Sequence, residues 1–162
     1  MDKTFPCGRH SDAYVGPCVK RPSHEPVPDD VRQLFYKVKK AQGTDIARTF
    51  CGLNDVRNIA PSIKYAKEAG MISQCSLCIT HSPVHTVEYY TKMAFELIEL
   101  GADEICIKDM AGIGRPYTLG RIVANIKEKY PEIPIQYHSH AGPGFNVAPS
   151  WRFVTRVATI ST

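Results

Sequence analysis

Apolar, strand-like segments alternate with amphipathic helical segments through most of this 162-residue sequence. The predicted strands are 45–50, 71–79, 104–108 and 133–138, and the predicted helices between them are 56–69, 86–100 and 117–130. A glycine follows each of the first two of these helices, and a helix plus a strand repeats about every 30 residues. Such alternation is typical of parallel strands joined by crossover helices, so it predicts an α/β fold.

A leading helix precedes the first strand, with an acidic start at Asp29 and Asp30 and an end near Gly43. Its apolar residues recur on one helical face: Val31, Leu34, Phe35 and Val38. Four strands, three crossover helices and this leading helix amount to half of an eight-fold (β/α) barrel. The predicted fold is therefore a partial TIM barrel of about four parallel strands with flanking helices.

A small open, doubly wound sheet is the alternative fold. Sheets of the dinucleotide-binding type carry a glycine-rich phosphate loop after the first strand. Here the first strand is followed by Cys51, Gly52, Leu53 and Asn54, a stretch with a single glycine. The strand-end residues therefore favour the barrel.

The two ends of the chain do not share this pattern. Residues 1–27 are rich in proline and glycine without a period of 2 or 3.6, so we expect an irregular head. Residues 149–162 have apolar content but no clear helical stripe, and we expect neither a barrel helix nor a closing strand there. The predicted organisation is a head at 1–27, a partial barrel at 28–148 and a tail at 149–162.

Composition excludes several classes of protein. The hydrophobic fraction of 43% suits one globular domain, and the net charge of +4 is spread along the chain, which gives no case for nucleic-acid binding. No apolar stretch approaches the roughly 20 residues of a membrane span, and the N-terminus lacks the apolar core of a secretory signal. We expect a cytoplasmic protein without membrane insertion, whose six cysteines are free thiols.

Potential metal ligands lie at the ends of two predicted strands. His138 and His140 are two residues apart, so both side chains point to one face, which in a barrel is the interior. Lys108 ends the preceding strand, and an interior lysine driven to its neutral form can add carbon dioxide to give a metal-binding carbamate. The alternatives are ordinary strand-end histidines and a lysine paired with Asp109.

Two other features are candidate sites. Arg48 interrupts an apolar strand, which suits either a cation for a substrate carboxylate or a buried structural ion pair. Cys75 and Cys78 form a C-x-x-C spacing, but strand residues three apart face opposite sides and no second pair completes four ligands. A zinc or redox role for these cysteines is therefore disfavoured.

Four motifs in order resemble the carboxyltransferase domain of biotin-dependent enzymes, a group that includes pyruvate carboxylase, the oxaloacetate decarboxylase alpha subunit and the pyruvate-using transcarboxylase. The motifs are 53–58 (Leu-Asn-Asp-Val-Arg-Asn), 82–86 (Ser-Pro-Val-His-Thr), 108–112 (Lys-Asp-Met-Ala-Gly) and 138–140 (His-Ser-His). The resemblance runs from about Pro28 to Ala148.

The resemblance implies a TIM barrel with a divalent metal ion (zinc, manganese or cobalt) at its mouth. The carboxylated lysine matches Lys108, the histidine ligands match His138 and His140, and the arginine for the substrate carboxylate matches Arg48. It further implies carboxyl transfer between carboxybiotin and pyruvate or oxaloacetate. Biotin would be carried on another domain or subunit, with a biotin carrier and a biotin carboxylase as partners, and the protein would be a homo-oligomer.

The chain also departs from the family pattern. The first-strand aspartate that would be the fourth metal ligand has no counterpart in residues 1–27, and Cys51 stands where the family usually has aspartate. Codons compatible with residues 149–162 permit, in a shifted frame, a peptide like the family's next helix and strand. We hypothesise that the native reading frame is lost after Ala148, and also before about Pro26.

We expect the chain to have negligible activity alone. Because a half barrel leaves two sheet edges and one barrel face uncovered, we also expect the chain to self-associate or to be only partly folded. Two alternative functions remain open. One is an aldolase-type barrel related to hydroxymethylglutaryl-CoA lyase, which shares the histidine pair but not the carboxylated lysine. The other is a non-catalytic metal-binding or interaction fragment.

Overall fold

The computed structural model describes residues 16–17, 28–140, 142–144 and 146–155. The strands are β1 (Gly16–Pro17), β2 (Ile46–Phe50), β3 (Ile72–Cys78), β4 (Glu104–Asp109) and β5 (Ile135–Ser139). The helices are α1 (Asp29–Ala41), α2 (Val56–Glu68), α3 (Val87–Glu99), α4 (Pro116–Lys129) and α5 (Val147–Val154). The strands pair in parallel in the order β1-β2-β3-β4-β5, so the predicted α/β fold with four main parallel strands is confirmed.

Glycines end the helices where the sequence predicts them. Gly43, Gly70 and Gly101 follow α1, α2 and α3 with φ of +94°, +73° and +102°. This left-handed conformation carries no steric penalty at glycine, and it turns the chain from a helix towards the next strand.

The two faces of the sheet differ in chemistry. The face towards the helices carries buried apolar residues: Ala47, Cys75, Leu77, Ile105, Ile107 and Ile135. The alternate residues on the opposite face are largely polar: Arg48, Gln74, Ser76, Lys108, Gln136 and His138. Successive helices from α1 to α5 contact one another in chain order, so the helices form a single layer on one side of the sheet. That arrangement is the one found in a (β/α) barrel.

The sheet curves strongly towards its polar face. The guanidinium of Arg48 on β2 donates a hydrogen bond to Gln74 on β3 and another, of 2.6 Å, to Oε1 of Gln136 on β5. In a flat sheet, three spacings of about 4.8 Å would separate β2 from β5. A direct bond across that distance is accounted for by partial closure into a barrel.

Both predictions about the chain ends need correction. Gly16 and Pro17 form the short strand β1 beside Thr49 and Phe50, whereas the sequence pattern predicts no regular element in the head; the rest of residues 1–27 lies outside the described residues. The tail prediction is wrong because α5 extends to Val154. Eight residues are too few to display a helical stripe, and the helix is held by packing of Phe153, which is buried with its ring centroid 5.8 Å from that of Tyr137.

The apolar stripe of α1 does not face the core as its pattern predicts. The buried residues of α1 are Arg32, which donates a hydrogen bond to Ser62, and Tyr36, which packs on Tyr65 of α2. Three residues of the stripe remain largely exposed: Val31 (49%), Leu34 (59%) and Val38 (44%). The buried face of α1 is therefore the one that meets α2 and, through Tyr36, Ala47 of β2.

No helix within the described part of the chain is both long enough and apolar enough to span a membrane.

Candidate functional site

The C-terminal ends of β3, β4 and β5 bring Lys108 and His138 together. In the sheet register Lys108 lies beside Cys78 on β3 and beside His138 on β5. All three belong to the polar face, as the alternation of strand residues requires. The predicted juxtaposition of the lysine with the first histidine is therefore present in the fold.

Lys108 is buried without a counter-ion. Its side chain is 5% exposed, and Nζ lies 5.2 Å from the ring centroid of Phe50. Among the described residues it makes no hydrogen bond or ion pair. The alternative pairing with Asp109 is wrong, because Asp109 points to the opposite face and binds the backbone of the loop after β4. A buried side-chain nitrogen without a hydrogen-bond partner is costly, so this position is unusual for a lysine with a purely structural role.

The two histidines approach each other at the mouth. Their Nε2 atoms are 3.2 Å apart and their ring centroids 5.0 Å apart. His138 is half-buried and His140 is exposed. Burial lowers the pKa of His138, and the positive charges of Lys108 and Arg48 lower it further. The neutral imidazole is the form that ligates a metal ion.

The geometry of this pair fits a metal site. Metal–nitrogen bonds of about 2.0–2.1 Å place two nitrogens about 2.9 Å apart at a right angle and about 3.4 Å apart at a tetrahedral angle. The observed 3.2 Å between the Nε2 atoms falls within this range. Within the described ranges, no cluster of three His, Cys, Asp or Glu side chains forms, and Lys108 lies beside His138 in the sheet register. The first-strand aspartate that the resemblance implies as a fourth ligand has no counterpart in the sequence of residues 1–27.

Arg48 occupies the interior below the histidines. Its guanidinium is held by the side-chain oxygens of Gln74 and Gln136, and Gln74 in turn donates a hydrogen bond of 2.6 Å to Glu104. Arg48 has no carboxylate partner among the residues that the structure describes. The alternative of a structural ion pair is therefore not observed, and an oriented cation remains for an anionic ligand.

The C-x-x-C pair is split between the two faces, as the strand period predicts. Cys75 lies in the apolar core, whereas Cys78 lies beside Lys108. Burial raises the pKa of Cys75 to about 12 and that of Cys78 to about 11, so both are thiols rather than thiolates. Cys75, Cys78 and Cys106 form no disulfide bond, which confirms the predicted free thiols at these positions.

Sequence reasoning missed the residues that fix the end of β3. Asn54, at φ +55°, accepts a hydrogen bond from the backbone N–H of Cys78 and donates one to its carbonyl, both 2.9 Å long. The Tyr90 hydroxyl donates to the same carbonyl at 3.0 Å and accepts from the N–H of Thr80 at 2.9 Å. Asn54 belongs to the motif at 53–58, and asparagine tolerates a left-handed conformation better than most residues, but neither signal predicts its bonds to Cys78.

Comparison with known proteins finds homologues of this chain. No protein-family model matches the chain. A pyruvate carboxylase subunit of Methanocaldococcus jannaschii is 45% identical over 117 residues, which are 72% of this chain and 20% of that protein. The solved carboxyl transferase domain of Rhizobium etli pyruvate carboxylase superposes with a TM-score of 0.82 at 27% identity, over 88% of this chain and 25% of that chain. This chain is a homologue of the carboxyltransferase domain of biotin-dependent enzymes.

Other carboxyltransferases show the same relation. The methylmalonyl-CoA carboxyltransferase 5S subunit of Propionibacterium freudenreichii subsp. shermanii is 39% identical over 72% of this chain and 23% of that protein. The Rhizobium etli domain solved with pyruvate and biocytin matches 82% of this chain and 23% of that chain, with a TM-score of 0.77 at 29% identity. The resemblance drawn from the four motifs is confirmed. The chain spans about a fifth of the length of these curated relatives.

Proposed function

We propose that this carboxyltransferase homologue carries part of an active site for carboxyl transfer between carboxybiotin and pyruvate or oxaloacetate. The observation that supports this most directly is Arg48, an oriented cation without a carboxylate partner among the described residues. Arg48 is hydrogen-bonded to Gln136. Gln136 lies two residues before His138 on β5, a distance of about 7 Å along the strand. That separation suits a small keto acid with its carboxylate on Arg48 and its reacting carbon near the mouth.

In this proposal Lys108, as its carbamate, and the two histidines would hold a divalent metal ion such as zinc, manganese or cobalt. The ion would supply Lewis-acid stabilisation of enolate charge. Arg48 would bind and orient the substrate carboxylate through charge-assisted hydrogen bonds. Burial of Lys108 and of the strand ends would keep the interior dry, which strengthens both interactions.

Biotin would be carried on another domain or subunit, and a biotin carboxylase would load it. We further propose that the chain self-associates, because β5 is the last of the paired strands within the described residues and unpaired strand edges favour association. A cytoplasmic location and the predicted boundaries at 27 and 148 remain proposals. The aldolase-type alternative is less well supported, since Lys108 is buried among the potential ligands at the strand ends.

Pyruvate binding tests the site. With Mn²⁺ and bicarbonate present, we expect the chain to broaden the methyl proton signal of pyruvate, because a carboxylate held by Arg48 brings the methyl group within paramagnetic range of the ion. Arg48→Met should remove this broadening and leave Mn²⁺ affinity unchanged. Arg57→Met is the matched control, since Arg57 is exposed and paired with Asp55 at 2.7 Å. Equal broadening by the Arg48→Met variant and by the unsubstituted chain would contradict the proposed role of Arg48.

The chain by itself should not turn over substrate. We expect no decarboxylation of oxaloacetate with free biotin above the rate with metal ion alone, because the predicted ligand set lacks its first-strand aspartate. Pyruvate formation followed by a coupled lactate dehydrogenase assay measures this. Clear turnover by the purified chain would show that its own residues suffice and would overturn the expectation; metal binding without pyruvate binding would favour a non-catalytic fragment.

A further inference from the structure

Asp109 is a buried carboxylate on the opposite side of β4 from the candidate site. It is 0% exposed. Its Oδ1 accepts a hydrogen bond of 3.0 Å from the N–H of Ile113, and its Oδ2 accepts one of 2.8 Å from the N–H of Gly114. The Tyr137 hydroxyl donates a third, of 3.3 Å, to Oδ2. The carboxylate therefore joins β4, the loop that follows it and β5.

Tyr137 is placed as a donor to this carboxylate. It lies on the helix-facing side of β5, directly before His138, and its ring packs against Phe153 of α5. Burial raises the pKa of Tyr137, so the phenol stays protonated and can donate. The bond between Asp109 and Tyr137 crosses from β4 to β5 immediately behind the pair formed by Lys108 and His138.

We propose that Asp109 and Tyr137 are positioning residues for the metal site. Successive strand residues project to opposite faces, so a bond that fixes Asp109 and Tyr137 on one face also fixes the rotation of β4 and β5 about their axes. That rotation sets where Lys108 and His138 point on the other face. The inference rests on the proposed metal site and extends it to two residues that touch neither metal nor substrate.

Removal of one hydroxyl group tests the inference. We expect Tyr137→Phe to raise the dissociation constant for Mn²⁺ roughly 10-fold, the lower end of the effect of losing a group that bonds a ligand directly, because Tyr137 acts through the strands. Tyr130→Phe is the matched control, because the Tyr130 hydroxyl donates a bond of similar length, 3.2 Å, to the carboxylate of Glu99 on the exposed surface. The control should leave Mn²⁺ affinity unchanged.

Two further measurements separate positioning from general destabilisation. Urea unfolding of both variants gives the stability change, and visible absorption of bound Co²⁺ reports the ligand geometry directly. We expect the cobalt spectrum to change in Tyr137→Phe and not in Tyr130→Phe. If Tyr137→Phe does not fold, Asp109→Asn, which keeps the side-chain size, carries the same expectation.

These experiments test the metal site and the positioning role of Tyr137 separately. If the unsubstituted chain binds no Mn²⁺ in bicarbonate buffer, the metal site itself is wrong and this inference falls with it. If the unsubstituted chain binds Mn²⁺ and the Tyr137→Phe and Tyr130→Phe variants bind it equally, with equal cobalt spectra, the positioning role alone is overturned.

Discussion

Replacing Lys108 by methionine is expected to abolish metal binding and, at the same time, to stabilise the fold. Lys108 is 5% exposed, and among the described residues it contacts the Phe50 ring without any hydrogen bond or ion pair. A buried polar group without a hydrogen-bond partner is costly, whereas methionine fills a similar volume with apolar atoms. We expect the free energy of unfolding to rise by about 1 kcal/mol, which is in the range typical of a single stabilising substitution. Loss of the carbamate ligand should weaken Mn²⁺ binding beyond detection.

Urea unfolding and Mn²⁺ titration in bicarbonate buffer measure the two effects. Lys37→Met is the matched control, since Lys37 is exposed on α1, and α1 lies on the opposite side of the sheet from the candidate site. That substitution should leave metal affinity unchanged and alter stability by no more than about 0.5 kcal/mol. Unchanged metal binding by Lys108→Met would point to other ligands, and a clear loss of stability would mean that Lys108 is held by favourable contacts.

The period of 2 along the strands is what made the site predictable. On each strand it separates the apolar residues that pack against the helices from the alternate residues, and Arg48, Lys108 and His138 each belong to the alternate set. The glycines after the helices fixed the alternation of elements, and the parallel order followed from the crossover lengths. These are local features, and local features can be recognised in a sequence.

The features that could not be predicted depend on contacts between distant elements. The inward face of α1 is decided by Arg32 and Tyr36 meeting α2, against the apolar stripe of the helix itself. The helix α5 exists through the burial of Phe153 against Tyr137. Asp109 looked like a partner for Lys108 because the two are adjacent, yet adjacency on a strand places them on opposite faces.

Gly114 is a second position where a small change should have a large effect. A Cβ atom there would lie 2.7 Å from Oδ2 of Asp109 and 2.7 Å from Cδ1 of Leu119. Both neighbours are buried, and Asp109 is held in place by its hydrogen bonds to the loop and to Tyr137. We expect Gly114→Ala to lower the free energy of unfolding by about 2–3 kcal/mol, the upper range for forced overpacking. Displacement of Asp109 should also weaken Mn²⁺ binding, as for Tyr137→Phe.

Gly120, six residues further along, supplies a control of opposite sign. It lies inside α4, and a Cβ atom there would meet nothing within 4 Å. Alanine is favoured over glycine in a helix interior, so Gly120→Ala should raise the free energy of unfolding by about 1 kcal/mol and leave metal affinity unchanged. Urea midpoints of the two variants therefore move in opposite directions from the same chemical change. A Gly114→Ala midpoint equal to that of the unsubstituted chain would mean that the loop after β4 yields readily, and that the contact of Asp109 with this loop does not hold the strand end in place.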